Sequence, residues 1–80
     1  MPMVSVRLFA ALRDLAGAAR VEAEGDTVDD VVAALGARFG DRFARVAAAG
    51  SVVIDGERAS GDRRLAPGDE VALLPPVSGG

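Results

Sequence analysis

Apolar residues in this chain recur first at every second position and later at every third or fourth, and this change of period limits the folds open to it. Val4, Val6 and Leu8 alternate with polar residues, which is typical of a strand with one buried face. Over residues 28–39 the apolar side chains follow helical spacing instead. The sequence therefore predicts a sheet with a helix packed across one face.

Turn-forming residues divide the rest of the chain into short segments. Gly17 ends a short helical turn, Gly40 ends the main helix, and Asp55-Gly56 is a strong hairpin signal. Thr27 and Asp30 form a weak capping box before the main helix. The first strand is expected at about residues 3–9, the short turn at 10–16, a second strand at 19–24, a shorter helical segment at 41–49, and strands at 51–54, 57–59 and 70–74. The final strand is continuously apolar, so we expect it to lie inside the sheet, parallel to the first.

Composition restricts the chemistry available to the chain. Eighty residues make one domain, expected here as a folded part over residues 1–74 and an extended tail over 75–80. Cysteine and histidine are absent, which excludes disulfides, zinc sites with these ligands, and Ser-His or Cys-His nucleophiles. The carboxylate pairs Asp29-Asp30 and Asp69-Glu70 lack the ligand spacing of a calcium loop, so no metal is expected.

Charge and hydropathy argue against two classes of partner. Nine Arg, no Lys and twelve acidic residues give a net charge of −3, whereas nucleic-acid binding usually needs a basic face. No apolar run is long enough to span a membrane, and the first residues show no basic leader. We expect a cytoplasmic protein that binds neither nucleic acid nor membrane.

The final residues form an unusual tail. Pro75 and Pro76 have fixed φ and no N–H, so they cannot continue a central strand. Gly79 and Gly80 lack side chains and would pass through a narrow channel. An incidental Gly-Gly end is the alternative, but the apolar strand that precedes the prolines favours a functional tail.

The chain resembles the MoaD/ThiS family of ubiquitin-like sulfur carriers, closest to the small subunit of molybdopterin synthase. The resemblance covers nearly the whole length, through residues 6–17, 26–31, 53–56 and 65–80. The last block is the most specific, because it joins Gly-Asp-Glu-Val to Pro-Pro-Val-Ser-Gly-Gly. The resemblance implies an α+β, β-grasp fold with a mixed sheet of about five strands and one main helix.

The same resemblance implies a function for the tail. Gly80 would be adenylated by an E1-like partner that uses ATP, converted to a thiocarboxylate by a sulfur donor, and would then donate sulfur to a pterin precursor. Gly79, which has no side chain, would give the tail the steric clearance to enter a narrow channel in the partner. The chain itself is expected to bind no cofactor and not to be catalytic alone, but to act as the sulfur-donating subunit of a sulfurtransferase, in a heterotetramer with two large subunits.

Contacts with the large subunit are expected along the tail and at its base. The residues concerned are Phe9, Arg13, Leu74, Pro75, Pro76, Val77 and Ser78. Phe9 lies on the opposite side of the first strand from Val4, although a place in the core is an equal alternative. A carrier for cysteine or thiamine synthesis, a protein modifier that forms isopeptide bonds, and a plain binding module remain open.

Overall fold

The period-two alternation at the start of the chain produces a strand with one buried face. In a computed structural model, which describes residues 1–77, strand β1 spans Met3–Leu8 and its side chains Val4, Val6 and Leu8 are almost fully buried. The intervening Arg7 is exposed. One face of β1 therefore packs into the core, and the other faces away from it.

Seven further elements follow in the predicted order. They are α1 (Ala10–Ala16), β2 (Arg20–Glu24), α2 (Val28–Phe39), α3 (Asp41–Ala49), β3 (Ser51–Ile54), β4 (Glu57–Arg58) and β5 (Glu70–Leu74). The strands form one sheet in the order β2-β1-β5-β3-β4. β5 pairs in parallel with β1 and antiparallel with β3, so the predicted interior position of the last strand is confirmed. The predicted β-grasp fold with a mixed five-stranded sheet is also confirmed.

Helix α2 begins and ends where its sequence signals predict. Asp30 N–H donates to Thr27 Oγ1 at 3.3 Å, and Thr27 N–H donates to Asp30 Oδ2 at 3.2 Å. These reciprocal bonds complete a capping box and satisfy donors that the first turn leaves without partners. At the other end the N–H of Gly40 donates to Gly36 O at 2.8 Å.

The core is entirely apolar within the described residues. Phe43 is its largest fully buried side chain, and its ring lies 5.2 Å from that of Phe39 between centroids. Aliphatic side chains from β1, α2 and β5 supply most of the rest, as the composition predicts. No helix in residues 1–77 is long and apolar enough to span a membrane.

Three element boundaries differ slightly from the prediction. β1 ends at Leu8, because Phe9 is the N-cap of α1 and Ala10 takes a φ of 49° as the chain turns. β2 begins at Arg20, although the carbonyl of Ala19 still accepts from Leu8 N–H at 2.8 Å. β4 ends at Arg58. Each difference lies at the end of a strand. There the regular strand pairing stops, although a single hydrogen bond can continue for one more residue.

Candidate functional site

The face of the sheet opposite the core carries the candidate site. Side chains alternate between the two faces of a strand, so residues between the buried positions of β1, β3 and β5 point away from the core. We call this surface the open face. Its central members are half-buried or exposed rather than covered by a helix of the described chain.

A strip of apolar side chains crosses the open face. Val53 pairs with Ala72, and the two are half-buried neighbours on β3 and β5. Leu74, at the end of β5, lies two residues further along the same face. Leu8 pairs with Leu73 where β1 and β5 run in parallel. The next residues along the two chains, Phe9 and Leu74, therefore lie beside each other. We call these residues the apolar strip: Phe9, Val53, Ala72 and Leu74.

Phe9 belongs to this strip and not to the buried core. Its side chain is half-buried, and it is not among the residues that form or flank the core. The Arg7 guanidinium carbon lies 5.8 Å from the centroid of the Phe9 ring, within the range of a cation–π contact. Because Arg7 lies on the open face, this contact places Phe9 there as well. Its role in binding a partner stays a prediction.

Charged groups border the apolar strip. Glu70 accepts from Arg20 Nη2 at 3.2 Å, and Arg7 Nη1 lies 3.8 Å from the same carboxylate. On the other side Arg58 Nη2 donates to Ser51 Oγ at 2.8 Å. The open face therefore has an apolar centre and a charged rim, which is the anatomy of a protein-binding surface.

The tail leaves the sheet at the end of this strip. Leu74 and Pro75 are half-buried, Pro76 is exposed, and Val77 is 95% exposed. The predicted site residues Ser78, Gly79 and Gly80 lie outside the described residues. Arg13, predicted as a partner contact, is exposed on α1 and makes no ion pair in the described part of the chain.

Sequence reasoning missed several members of this surface. The alternation of side chains along β3 and β5 would have placed Val53 and Ala72 on the open face. That the two residues are neighbours could not be predicted, because it depends on the register between two segments that are distant in the chain. The pairing of Glu70 with Arg20, fifty residues away, left no sequence signal. Chemically, the open face offers an apolar strip with a charged rim, and no polar side chain is buried in residues 1–77.

The comparison with protein families decides the family. The model of the ThiS family matches residues 6–80. This chain belongs to the ThiS family. The resemblance to the MoaD/ThiS group of ubiquitin-like sulfur carriers is thereby confirmed. The comparison with curated protein sequences gives no match.

Solved structures similar to this ThiS-family chain come from several branches of the group. Small archaeal modifier protein 1 of Haloferax volcanii is 35% identical with a TM-score of 0.82, over 98% of this chain and 99% of that one. A Pyrococcus furiosus protein assigned as molybdopterin converting factor subunit 1 is 30% identical with a TM-score of 0.83, over 96% and 100%. A chain in the BexX/CysO complex of Amycolatopsis orientalis is 26% identical with a TM-score of 0.78, over 96% and 99%. The shared fold thus covers essentially the whole ThiS-family chain.

Proposed function

We propose that this ThiS-family chain is a cytoplasmic sulfur carrier that acts as the small subunit of molybdopterin synthase. The observation that carries the proposal is the continuity of β5: this strand supplies Ala72 and Leu74 to the apolar strip and then leads directly into the Pro-Pro-Val-Ser-Gly-Gly sequence of residues 75–80. A docking surface at the base of a tail lets one binding event deliver the end of the tail to a partner. The Pyrococcus furiosus relative supports the molybdopterin branch.

The chemistry resides in the Gly80 carboxyl group. A C-terminal carboxylate has a pKa of about 3.5, so at neutral pH it is anionic and a poor electrophile. An adenylating partner would join it to the α-phosphate of ATP and release pyrophosphate. Hydrosulfide released by a sulfur donor would then displace AMP from the acyl-adenylate and leave a thiocarboxylate on Gly80.

The sulfur of the thiocarboxylate would bond to a pterin precursor in the large subunit, and hydrolysis of the resulting acyl thioester would leave the sulfur on the pterin and restore the Gly80 carboxylate. In this step the large subunit binds the apolar strip, with Phe9 and Leu74 as the anchors, and it also contacts Arg13. Pro75 and Pro76 limit the conformational entropy lost when the tail is threaded. Val77 and Ser78 contact the large subunit where the tail enters its active site. Gly79 fits the narrowest part of that channel because it has no side chain.

A second function is supported by other relatives. The similar Haloferax volcanii protein is named a modifier, and the Amycolatopsis orientalis chain is in a complex with BexX. A carrier for another sulfur-requiring synthesis, such as that of cysteine or thiamine, or a modifier that forms isopeptide bonds through Gly80, would use the same activation. These functions share the activation of Gly80 and differ in the molecule that receives the sulfur or the Gly80 carboxyl group.

Mass spectrometry of the charged protein tests the activation step. After incubation with an adenylating enzyme, ATP and a sulfur donor, we expect the C-terminal peptide to gain the mass of sulfur replacing oxygen. Deletion of Gly80, or extension by one residue, should abolish this gain while circular dichroism shows an intact fold. Sulfuration of the pterin precursor by the Gly80-deleted protein would contradict the proposal.

Capture of partners with the intact tail distinguishes the two functions. A large synthase subunit that co-purifies with the wild-type chain, and less with the matched Phe9→Ala variant, supports the molybdopterin role. A ladder of covalent conjugates that disappears on deletion of Gly80 would instead support the modifier.

A further inference from the structure

Gly50 lies between α3 and β3, against the backbone from which the tail begins. A Cβ atom added to Gly50 would overlap the carbonyl oxygen of Leu74 and would lie 3.0 Å from Pro75 Cα. Both obstacles are main-chain atoms, so they cannot move aside by rotating a side chain. A residue with a side chain at this position therefore requires the backbone of Leu74 and Pro75 to shift.

Backbone conformation does not explain this glycine. Gly50 has φ −93° and ψ −152°, which lie outside the left-handed region. By contrast Gly17 and Gly56 have positive φ values of 76° and 79°, and a Cβ at either would meet nothing within 4 Å. At those two positions the turn requires glycine, whereas at Gly50 the requirement is space beside Leu74.

The contact coincides with the point where the chain leaves the sheet. Ser51, the next residue, pairs with Leu74 in the final rung between β3 and β5. Pro75 is then half-buried, and by Val77 the chain is almost fully exposed. Gly50 thus touches the main chain at the junction between the rigid sheet and the tail.

We propose that Gly50 is a positioning residue that sets the direction in which the tail leaves the sheet. The inference rests on the proposed function, because it assumes that the tail must enter a partner. Pro75 and Pro76 stiffen the segment, so a change at its base is carried outward. A rotation of about 10° would displace the end of an extended six-residue segment by about 3 Å, given about 3.3 Å per residue.

Single-turnover sulfur transfer by a Gly50→Ala variant tests this role. With both proteins charged to the thiocarboxylate, we expect the transfer rate to fall about 100-fold or more, because a misplacement of only about 1 Å can cost about 100-fold. The dissociation constant for the large subunit should change much less than the transfer rate, because Phe9, Val53 and Ala72 keep their places on the open face. Gly36→Ala is the matched control, since its Cβ would also be crowded, at 3.0 Å from Ala44 Cβ, but inside the α2–α3 contact.

A rescue experiment separates positioning from stability. In a Gly50→Ala/Pro75→Gly double variant the tail base regains backbone freedom, so we expect transfer to recover to the rate of Pro75→Gly alone. A purely structural defect would worsen, because replacing proline by glycine adds entropy to the unfolded chain. If Gly50→Ala does not fold, Pro75→Gly alone tests the tail base, and transfer at the wild-type rate by that variant would overturn the inference. A double variant slower than Pro75→Gly alone would overturn the inference.

A measurement that does not depend on sulfur transfer tests this inference separately from the proposed function. Backbone NMR of the uncharged protein should show shift changes in Gly50→Ala at Ser51, Leu74 and Val77, but not in Gly36→Ala. Unchanged shifts at these residues, or wild-type transfer by Gly50→Ala, would overturn the positioning role. If the wild-type protein cannot be charged at all, the proposed function fails, and the NMR comparison alone decides whether Gly50 sets the tail base.

Discussion

The guanidinium of Arg20 on β2 reaches across β1 to the carboxylate of Glu70 on β5, with Nη2 and Oε2 3.2 Å apart. Arg7 on the intervening strand lies 3.8 Å from the other oxygen of that carboxylate. One acidic side chain therefore links three strands on the open face. The link forms part of the charged rim beside Phe9, over which Arg7 also lies.

The Arg20–Glu70 pair should contribute little to folding stability. About half of each side chain is exposed to solvent, where water and salt screen the attraction. In a double-mutant cycle with Arg20→Gln and Glu70→Gln, we expect a coupling free energy of about 0.2 to 1 kcal/mol from urea denaturation. Coupling of about 3 kcal/mol or more would contradict this, because that magnitude belongs to buried pairs.

Loss of the capping box should destabilise the protein through α2. Thr27→Ala removes the oxygen that accepts from Asp30 N–H, and we expect the free energy of unfolding to fall by about 1 kcal/mol. Thr27→Ser retains the hydroxyl and is the matched control, expected close to wild type. Urea denaturation measures both variants. Equal losses for the two would show that the methyl group of Thr27, rather than its hydrogen bond, supplies the stability.

Alanine substitutions of Phe9 and Phe43 should have different effects: the first should lower the affinity for the partner, and the second should lower the stability of the fold. Phe43 is fully buried, so Phe43→Ala is expected to lower the free energy of unfolding by about 3 to 5 kcal/mol. Phe9 is half-exposed on the apolar strip, so Phe9→Ala should cost much less stability. If the open face is the docking surface, the affinity of Phe9→Ala for the large subunit should fall by about 2 kcal/mol or more in isothermal titration calorimetry. Unchanged affinity would remove Phe9 from the interface.

Arg38 should protect the free edge of the sheet. β2 is an edge strand, and Arg38 Nη1 donates to the backbone carbonyl of Glu22 at 2.9 Å. Unpaired backbone groups on an edge strand favour pairing with another chain. We expect Arg38→Ala to self-associate at lower protein concentration than wild type in analytical ultracentrifugation. Arg45→Ala, an exposed change on α3, is the control for loss of charge alone, and equal association of both variants would contradict the edge explanation.

Local sequence signals predicted the elements of this fold well. The bounds of α2 follow from its apolar spacing, the capping box at Thr27 and the glycine at position 40. The hairpin at Asp55-Gly56 is formed with φ values of 53° and 79°, the positive angles that such a turn requires. These features depend on residues close together in the chain, so the sequence shows them directly.

The amino-acid sequence by itself determined the alternation of strands and helices, the absence of cysteine and histidine chemistry, and the Pro-Pro and Gly-Gly motifs of the tail. Only the tertiary structure decided that Phe9 lies outside the core, that Glu70 meets Arg20, and that Gly50 lies against Leu74. The physical reason is the range of the interactions. Capping, turns and periodicity are local, whereas these contacts arise when β1, β3 and β5 pair in one register and bring distant residues together.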